Sequence, residues 1–163
     1  VIDKDSESGI LGPFASGGLS IRGKIVSPKR PGSNTEAIQE GYNLELITGR
    51  PAAPHFHSWT HYSWQSQEMW PDLYVQIHPT TAENLGVKDG ALVSIESRHG
   101  SIHARAWLYT GMRPTSVFIP IGWGERQPFS KWNSVNFLTD KTQRDPISEQ
   151  TNLKSLLCRV KPI

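Results

Sequence analysis

The run Thr48-Gly49-Arg50-Pro51-Ala52-Ala53-Pro54-His55-Phe56-His57-Ser58-Trp59-Thr60-His61 holds the residue types and spacing in this chain most suited to chemistry. A glycine lets backbone N–H groups come close to a ligand, and an arginine presents a planar fork of donors to a phosphate or carboxylate. The hydroxyls and imidazoles that follow add donors with little net charge. A Pro-rich surface loop of ordinary polar residues is the plain alternative. His55, His57 and His61 are imidazoles of the kind that bind zinc, copper or nickel. His-x-His in a loop lacks the geometry of a helical i, i+4 pair, however, and no carboxylate occurs between Ile47 and Gln67 to complete a ligand set. Ser58 lies near His57 and His61 but not in a Gly-x-Ser-x-Gly elbow. No Gly-x-x-x-x-Gly-Lys-Ser/Thr run exists for a phosphate loop, and Gly17-Gly18 is followed by a strand pattern. Donors to an anionic ligand fit the run better than a metal site or a nucleophile does.

Such a loop has to be carried by something. Tyr42 to Ile47 alternates apolar and polar residues, as a strand does, and the glycine stands where that strand ends. The loop then runs from Thr48 to Pro71, too long for a simple turn, and contains Trp59, Trp64 and Trp70. Leu73–His78 reads as the next strand. Thr80 followed by Glu83 is a capping-box spacing and Gly86 stands where a left-handed C-terminal residue is wanted, so Thr81–Leu85 is predicted as a short helix. Ala91–Arg98 and Ser101–Tyr109 read as strands joined by a His99-Gly100 turn, and the alternation alone does not choose the inward face of the first of them. Gly111–Pro114 turns into the strand Thr115–Pro120, and residues 122–151 read mostly as loop. Lys154–Val160 closes the domain, with Leu156, Cys158 and Val160 on one face. One helix among about seven short strands argues a mainly-β barrel. Residues 1–41, rich in Gly, Pro and Ser with one candidate strand at Leu19–Val26, read as an arm laid over it or a linker from a preceding region. The tryptophans of the two long loops cover a core edge or wall a flat ligand at the barrel mouth.

The bulk properties narrow the classes. With 163 residues the chain suffices for one domain, since a domain of about 150 residues buries roughly 70% of its unfolded surface. A net charge of +2 without any block of like charge leaves no nucleic-acid or membrane-surface footprint. A single cysteine, Cys158, excludes an internal disulfide framework and multi-cysteine metal sites; its place in the last strand pattern makes it a core residue. No apolar run approaches the roughly 18 residues of a membrane span. The chain therefore reads as soluble, and the compartment, cytoplasmic or periplasmic, is not readable from it. The first residue is Val1, and the polar stretch from Asp3 to Ser8 reads as a solvated linker, so a processed product or a piece of a longer polypeptide is expected.

Read together and in order, four pieces resemble the C-terminal molybdopterin dinucleotide-binding domain of the dimethyl sulfoxide reductase superfamily, which includes formate dehydrogenases and nitrate reductases. The strand ending Leu46-Ile47-Thr48-Gly49-Arg50 with His55, His57, Ser58 and Thr60 looks like its Thr-Gly-Arg loop. His78-Pro79-x-x-Ala82-x-x-Leu85-Gly86-Val87-x-Asp89-Gly90-x-x-Val93-x-Ile95-x-Ser97-x-x-Gly100 is similar to its barrel-crossing segment. Arg113-Pro114 through Pro120 and Trp123 looks like the strand and turn that follow, and Asn136-x-Leu138-Thr139 with Asp145-Pro146-x-Ser148 and Lys154 resembles its closing motif. The match covers residues 42–161; Gly12-Pro13-Phe14 and Gly23-Lys24-Ile25 are similar to an entry segment.

The resemblance implies a double-psi β-barrel of the aspartate-decarboxylase-like kind over residues 42–163. It also implies a role in holding a molybdopterin guanine dinucleotide that carries molybdenum or tungsten. By the family pattern Thr48, Gly49, Arg50, His55, His57, Ser58 and Thr60 would line the pterin and pyrophosphate, and Asn136 and Lys154 would add polar contacts. Amide, ammonium and guanidinium donors suit such an anionic, heteroaromatic ligand. The chain lacks the parts that would supply the metal's protein ligand, an iron–sulfur cluster and most of a substrate funnel. It is therefore expected to grip the cofactor within a larger oxidoreductase, with the remaining catalytic domains or subunits as partners, and not to catalyse a reaction by itself. Two other readings stand beside this one: a barrel kept as a structural module of an electron-transfer complex without cofactor, and an unrelated double-psi barrel used for protein docking.

Overall fold

A computed structural model of the protein describes residues 2–3, 10–11, 21–22, 35–51, 60–124, 131–140, 142, 144, 149–154 and 156–163. In chain order the elements are β1 (Ile2–Asp3), β2 (Ile10–Leu11), β3 (Ile21–Arg22), α1 (Thr35–Gln39), β4 (Leu44–Gly49), α2 (Trp64–Met69), β5 (Tyr74–Ile77), α3 (Pro79–Leu85), β6 (Leu92–Ser97), β7 (Gly100–Leu108), β8 (Ser116–Pro120) and β9 (Leu156–Pro162). Among the described residues of the long loops, Thr60–Tyr62 and Val135–Leu138 form 3₁₀ turns. Strands β1, β2 and β3 form a small antiparallel sheet, and the other six close into a barrel in the order β4-β8-β5-β7-β6-β9.

The barrel is the double-psi β-barrel that the segment order implied. The pairs β4·β8 and β5·β7 are parallel while the remaining four neighbours are antiparallel. Closure leaves no strand edge unpaired. The interior is filled by one face of each strand, as the two-residue period requires. Leu44 and Leu46 from β4 meet Val75 and Ile77 from β5, Val93 and Ile95 from β6, Val117 and Ile119 from β8, and Cys158 with Val160 from β9. Val93, Ile95 and Ser97 are the buried face of β6, which settles the face that alternation left open. Ile102, Ala104 and Ala106 point inward from β7, and the alanines leave room for the larger side chains opposite.

Several elements differ from the sequence-based expectations, each for a local reason. The first strand runs Leu44–Gly49 instead of Tyr42–Ile47, which carries the strand through Thr48 and Gly49. The hairpin turn is Arg98-His99 and not His99-Gly100, because Gly100 pairs with Ser97 and opens β7. Gly100 is required for space: a Cβ there would lie 2.6 Å from the carbonyl oxygen of Phe137. Helix α3 begins at Pro79 and not Thr81. Its N-cap is His78, whose Nδ1 accepts from the Thr80 N–H at 3.2 Å, and Pro79 occupies the first turn where no N–H is needed. It ends at Gly86 in the left-handed conformation, as predicted. Helices α1 and α2 lie where loop or arm was expected; in α2 only Ser66 is buried, so no apolar period announced it. Of the candidate strand Leu19–Val26, Ile21–Arg22 is a strand, and the remainder lies outside the described residues.

Candidate functional site at one end of the barrel

Strand directions decide what meets at which end. Taking β4 as running upward, β8 is parallel to it, so Gly49 and Pro120 reach the top together. Strand β5 runs down beside β8, and β7 runs down beside β5. The Ser97–Gly100 hairpin is therefore at the top, and β9, antiparallel to both β4 and β6, starts there at Leu156. Both long connections, residues 50–73 and 121–155, thus leave and return at the same end, while α3 and the turn between β7 and β8 occupy the other. The fold brings Thr48, Gly49, Arg50, Asn136 and Lys154 to one barrel end although they span more than half of the chain.

Their individual settings differ. Thr48 is on the inward face of β4 and 1% exposed. Its hydroxyl donates to the carbonyl of Leu153 at 2.7 Å, and the same carbonyl accepts from the Thr48 N–H at 2.9 Å. A buried hydroxyl needs a partner, and this one finds it in the second loop, one residue before Lys154. Gly49 gives its carbonyl to the N–H of Ile121 at 2.8 Å, extending the contact between β4 and β8 into the loops. Arg50 is exposed just past the strand, and Lys154 is exposed just before β9. Asn136 is exposed on the Val135–Leu138 turn, which Ser134 caps by accepting the Asn136 N–H at 3.3 Å. That turn is held to the hairpin by Ser97, whose hydroxyl donates to the carbonyl of Leu138 at 2.9 Å. His55, His57 and Ser58 lie outside the described residues, as does the side chain of Thr60, and so do Trp59 and the Asp145-Pro146-x-Ser148 part of the closing motif.

Two acidic groups near this end, Asp72 and Asp140, are engaged. Asp72, at the entry to β5, accepts from the indole N–H of Trp132 at 3.2 Å and lies 3.6 Å from Arg105 Nε and 3.5 Å from Lys131 Nζ. Asp140 accepts from the N–H and hydroxyl of Thr142 at 2.7 and 2.6 Å, and His99 Nε2 lies 4.0 Å from its other oxygen. Among the described residues no three His, Cys, Asp or Glu side chains gather as a metal site. No helix among them is long and apolar enough to cross a membrane.

Four of the tryptophans cover the core. Trp123 and Trp132 are buried, and Trp70 and Trp107 pack against the core from its rim. The rings form a connected wall: Trp70 to Tyr74 and to Trp107 at 5.2 Å each, Tyr74 to Trp107 at 5.0 Å, and Tyr74 to Trp123 at 5.9 Å. Trp64 is exposed. Two contributions were not legible beforehand. Asp72 gave no motif, and His61 stood in a run with two other histidines that shared its apparent role; its buried ring, 4.2 Å from Trp123, has a different one.

Residues 44–157 match the family described as the molydopterin dinucleotide binding domain, a domain that binds a molybdopterin dinucleotide. Over 139 residues the chain is 32% identical to the assimilatory nitrate reductase catalytic subunit of Bacillus subtilis, which covers 85% of this chain and 19% of that protein. A putative formate dehydrogenase of the same organism is 30% identical over 124 residues, 72% of this chain and 12% of that one. Among solved structures the acetylene hydratase from Pelobacter acetylenicus is similar in fold, with a TM-score of 0.72 and 20% identity over 85% of this chain and 21% of that chain. The chain therefore spans less than a fifth of the length of these two curated relatives.

Proposed function

The chain belongs to the family of molybdopterin dinucleotide-binding domains, and from that premise we propose that residues 42–163 are the barrel that grips a molybdopterin guanine dinucleotide inside a larger molybdenum or tungsten oxidoreductase, with residues 1–41 as its arm. The observation that carries this reading is the convergence at one barrel end of three differently shaped donors. Arg50, Asn136 and Lys154 are all exposed there, on segments tied to the barrel by backbone and side-chain hydrogen bonds. Their chemistry fits the group. The guanidinium offers a fork to a pyrophosphate, the ammonium a movable positive charge, and the amide both a donor and an acceptor to a heterocycle edge. The nearby carboxylate of Asp72 lies between Arg105 and Lys131, whose positive charges offset it.

In this reading Thr48 works inward: it fixes the strand end that presents Gly49 and Arg50, and it fixes Leu153 beside Lys154. His55, His57, Ser58 and Thr60 are assigned by the family pattern as further donors along the same ligand. The bound group supplies the redox chemistry through its metal, and the chain orients it and screens its charge. The remaining domains or subunits of the oxidoreductase are the partners.

The test begins with the native protein that carries this chain. Acid oxidation should release a fluorescent pterin, and GMP should be recovered after hydrolysis of the dinucleotide. Arg50→Ala and Asn136→Ala should lower the bound pterin. The loss of one charge-assisted hydrogen bond is worth roughly 1.5–3 kcal/mol, about tenfold or more in affinity. Native protein that yields no pterin sinks the proposal, and AMP or CMP in place of GMP corrects its nucleotide.

A further inference from the structure

We infer that His61 is a positioning residue for the dinucleotide site, locking the returning limb of the first loop under the head of the second so that both donor-bearing loops keep one arrangement over the barrel. This rests on the reading just given, and it assigns a role to a residue that makes none of the contacts proposed there.

The lock is specified from both sides. His61 sits in the Thr60–Tyr62 turn and is 3% exposed, buried although it lies in a loop. Its ring stands edge-on to Trp123 with the centroids 4.2 Å apart and the planes at 71°. The residue before Trp123 is Gly122, whose φ of +123° is a backbone conformation that side-chain-bearing residues rarely adopt. A Cβ at Gly122 would overlap His61 Nε2 and lie 2.7 Å from His61 Cδ2. The φ alone would call for glycine. The filled space is a second and independent requirement, and it is set by the imidazole.

The lock also has firm footings. The carbonyl of His61 accepts from Gln67 Nε2 of α2 at 2.8 Å. Trp123 leans on Tyr74 of β5, and through it on Trp70 and Trp107, so the position of His61 is referred to the barrel wall. Among the described residues, further ties between the same segments run from Thr48 to Leu153, from Gly49 to Ile121, and from Asp72 to Trp132 and Lys131. They fasten the loops near the strand ends, whereas His61 joins the middle of the first loop to the second. The barrel's own strand pairing involves neither His61 nor Gly122 nor Trp123. Loss of the lock should therefore disturb donor placement more than it disturbs the barrel.

The experiment uses the full protein that carries this chain, loaded with its native cofactor. The rate at which protein-bound pterin is lost on incubation is compared for wild type, His61→Ala, His61→Gln and Gly122→Ala, with Ile95→Val as a control that weakens the barrel core away from the loops. Supporting residues around bound groups are worth about 10–100-fold in affinity at comparable sites. His61→Ala and Gly122→Ala should thus lose pterin about tenfold faster or more, and His61→Gln, which keeps a planar polar group of similar reach, should recover most of the difference. Ile95→Val should lower the unfolding temperature yet leave the loss rate near wild type. If His61→Ala loses pterin no faster than Ile95→Val, or if His61→Gln is as defective as His61→Ala, the positioning role is overturned. Should Gly122→Ala fail to fold, the two His61 variants decide alone. Wild-type protein without pterin would overturn the functional reading itself, an outcome visible before any variant is made.

Discussion

Thr48 and Cys158 both point into the barrel, and the consequences follow from what each can bond. The threonine hydroxyl would be costly to bury alone, and it is matched by the Leu153 carbonyl, so a residue that reads from sequence as a ligand donor is also an internal tie. That second role was hidden because it depends on register: once the strand runs to Gly49, Thr48 shares the inward face with Leu44 and Leu46. Cys158 was legible, since the alternation of Leu156, Cys158 and Val160 holds in β9. Burial pushes its thiol up to about 12, and the thiolate is the species that reacts. Iodoacetamide at mildly alkaline pH should therefore leave the native protein unmodified at Cys158 and label it on denaturation. Mass spectrometry reads both states, and rapid labelling of folded protein at this residue would contradict its placement.

At the scale of elements, packing signals were readable and local irregularities were not. Strands β5 to β9 were anticipated because alternating apolar residues survive small errors at their ends. Helix α2 was not, since its sequence turns only one side chain inward. The glycine of the hairpin suggested a turn residue, whereas it serves the approach of the Phe137 carbonyl, a contact made across the fold. Charge pairing between strands was equally invisible. Glu96 and Arg159 are register partners on β6 and β9. Their side chains meet at 2.7 Å, and Lys161 lies 3.0 Å from the same carboxylate oxygen. Hydrogen bonds from Lys161 and then Arg159 hold the Glu96 carboxyl below its ordinary value of 4.5. A depressed folded-state value means that the unfolded chain takes up the proton first as the pH falls. The stabilisation is then complete above the ordinary glutamate range and is lost as the pH drops through the folded value beneath it. Partly exposed pairs are worth about 0.2–1 kcal/mol each. Glu96→Gln should thus lower unfolding stability by about 1 kcal/mol at neutral pH, and the gap to wild type should close in acid, once the pH has fallen through the depressed folded-state value. Denaturant titrations at neutral and acid pH measure it, and a gap that persists in acid would assign the loss to packing.

For the whole molecule, what was legible was order. Each matching segment is short, but a double-psi barrel places its strands by a fixed threading, so segments in the right sequence imply which ends meet, and both long loops leave from one end. The small sheet did not share that advantage, because two-residue strands carry no period: among the described residues, β1, β2 and β3 are joined by the register pairs Ile2 with Leu11, Asp3 with Ile10, Ile10 with Arg22 and Leu11 with Ile21. The contrast has a dynamic consequence. In a closed barrel each strand has two neighbours, and none can leave without breaking both sets of bonds and opening the shared core. The small sheet can open a pair of residues at a time. Cooperative units reveal themselves in native-state hydrogen exchange, where amides released by the same opening share one free energy and one dependence on denaturant. Amides of β4, β6, β8 and β9 should therefore converge on a single exchange free energy with a steep denaturant slope, while those of β1 to β3 should exchange through openings of shallow slope. A barrel that separates into two classes, with β4, β8 and β9 opening apart from β5, β6 and β7, would mean that the two parallel pairs fold as independent halves. The platform beneath the two long loops would then be jointed between its halves instead of rigid.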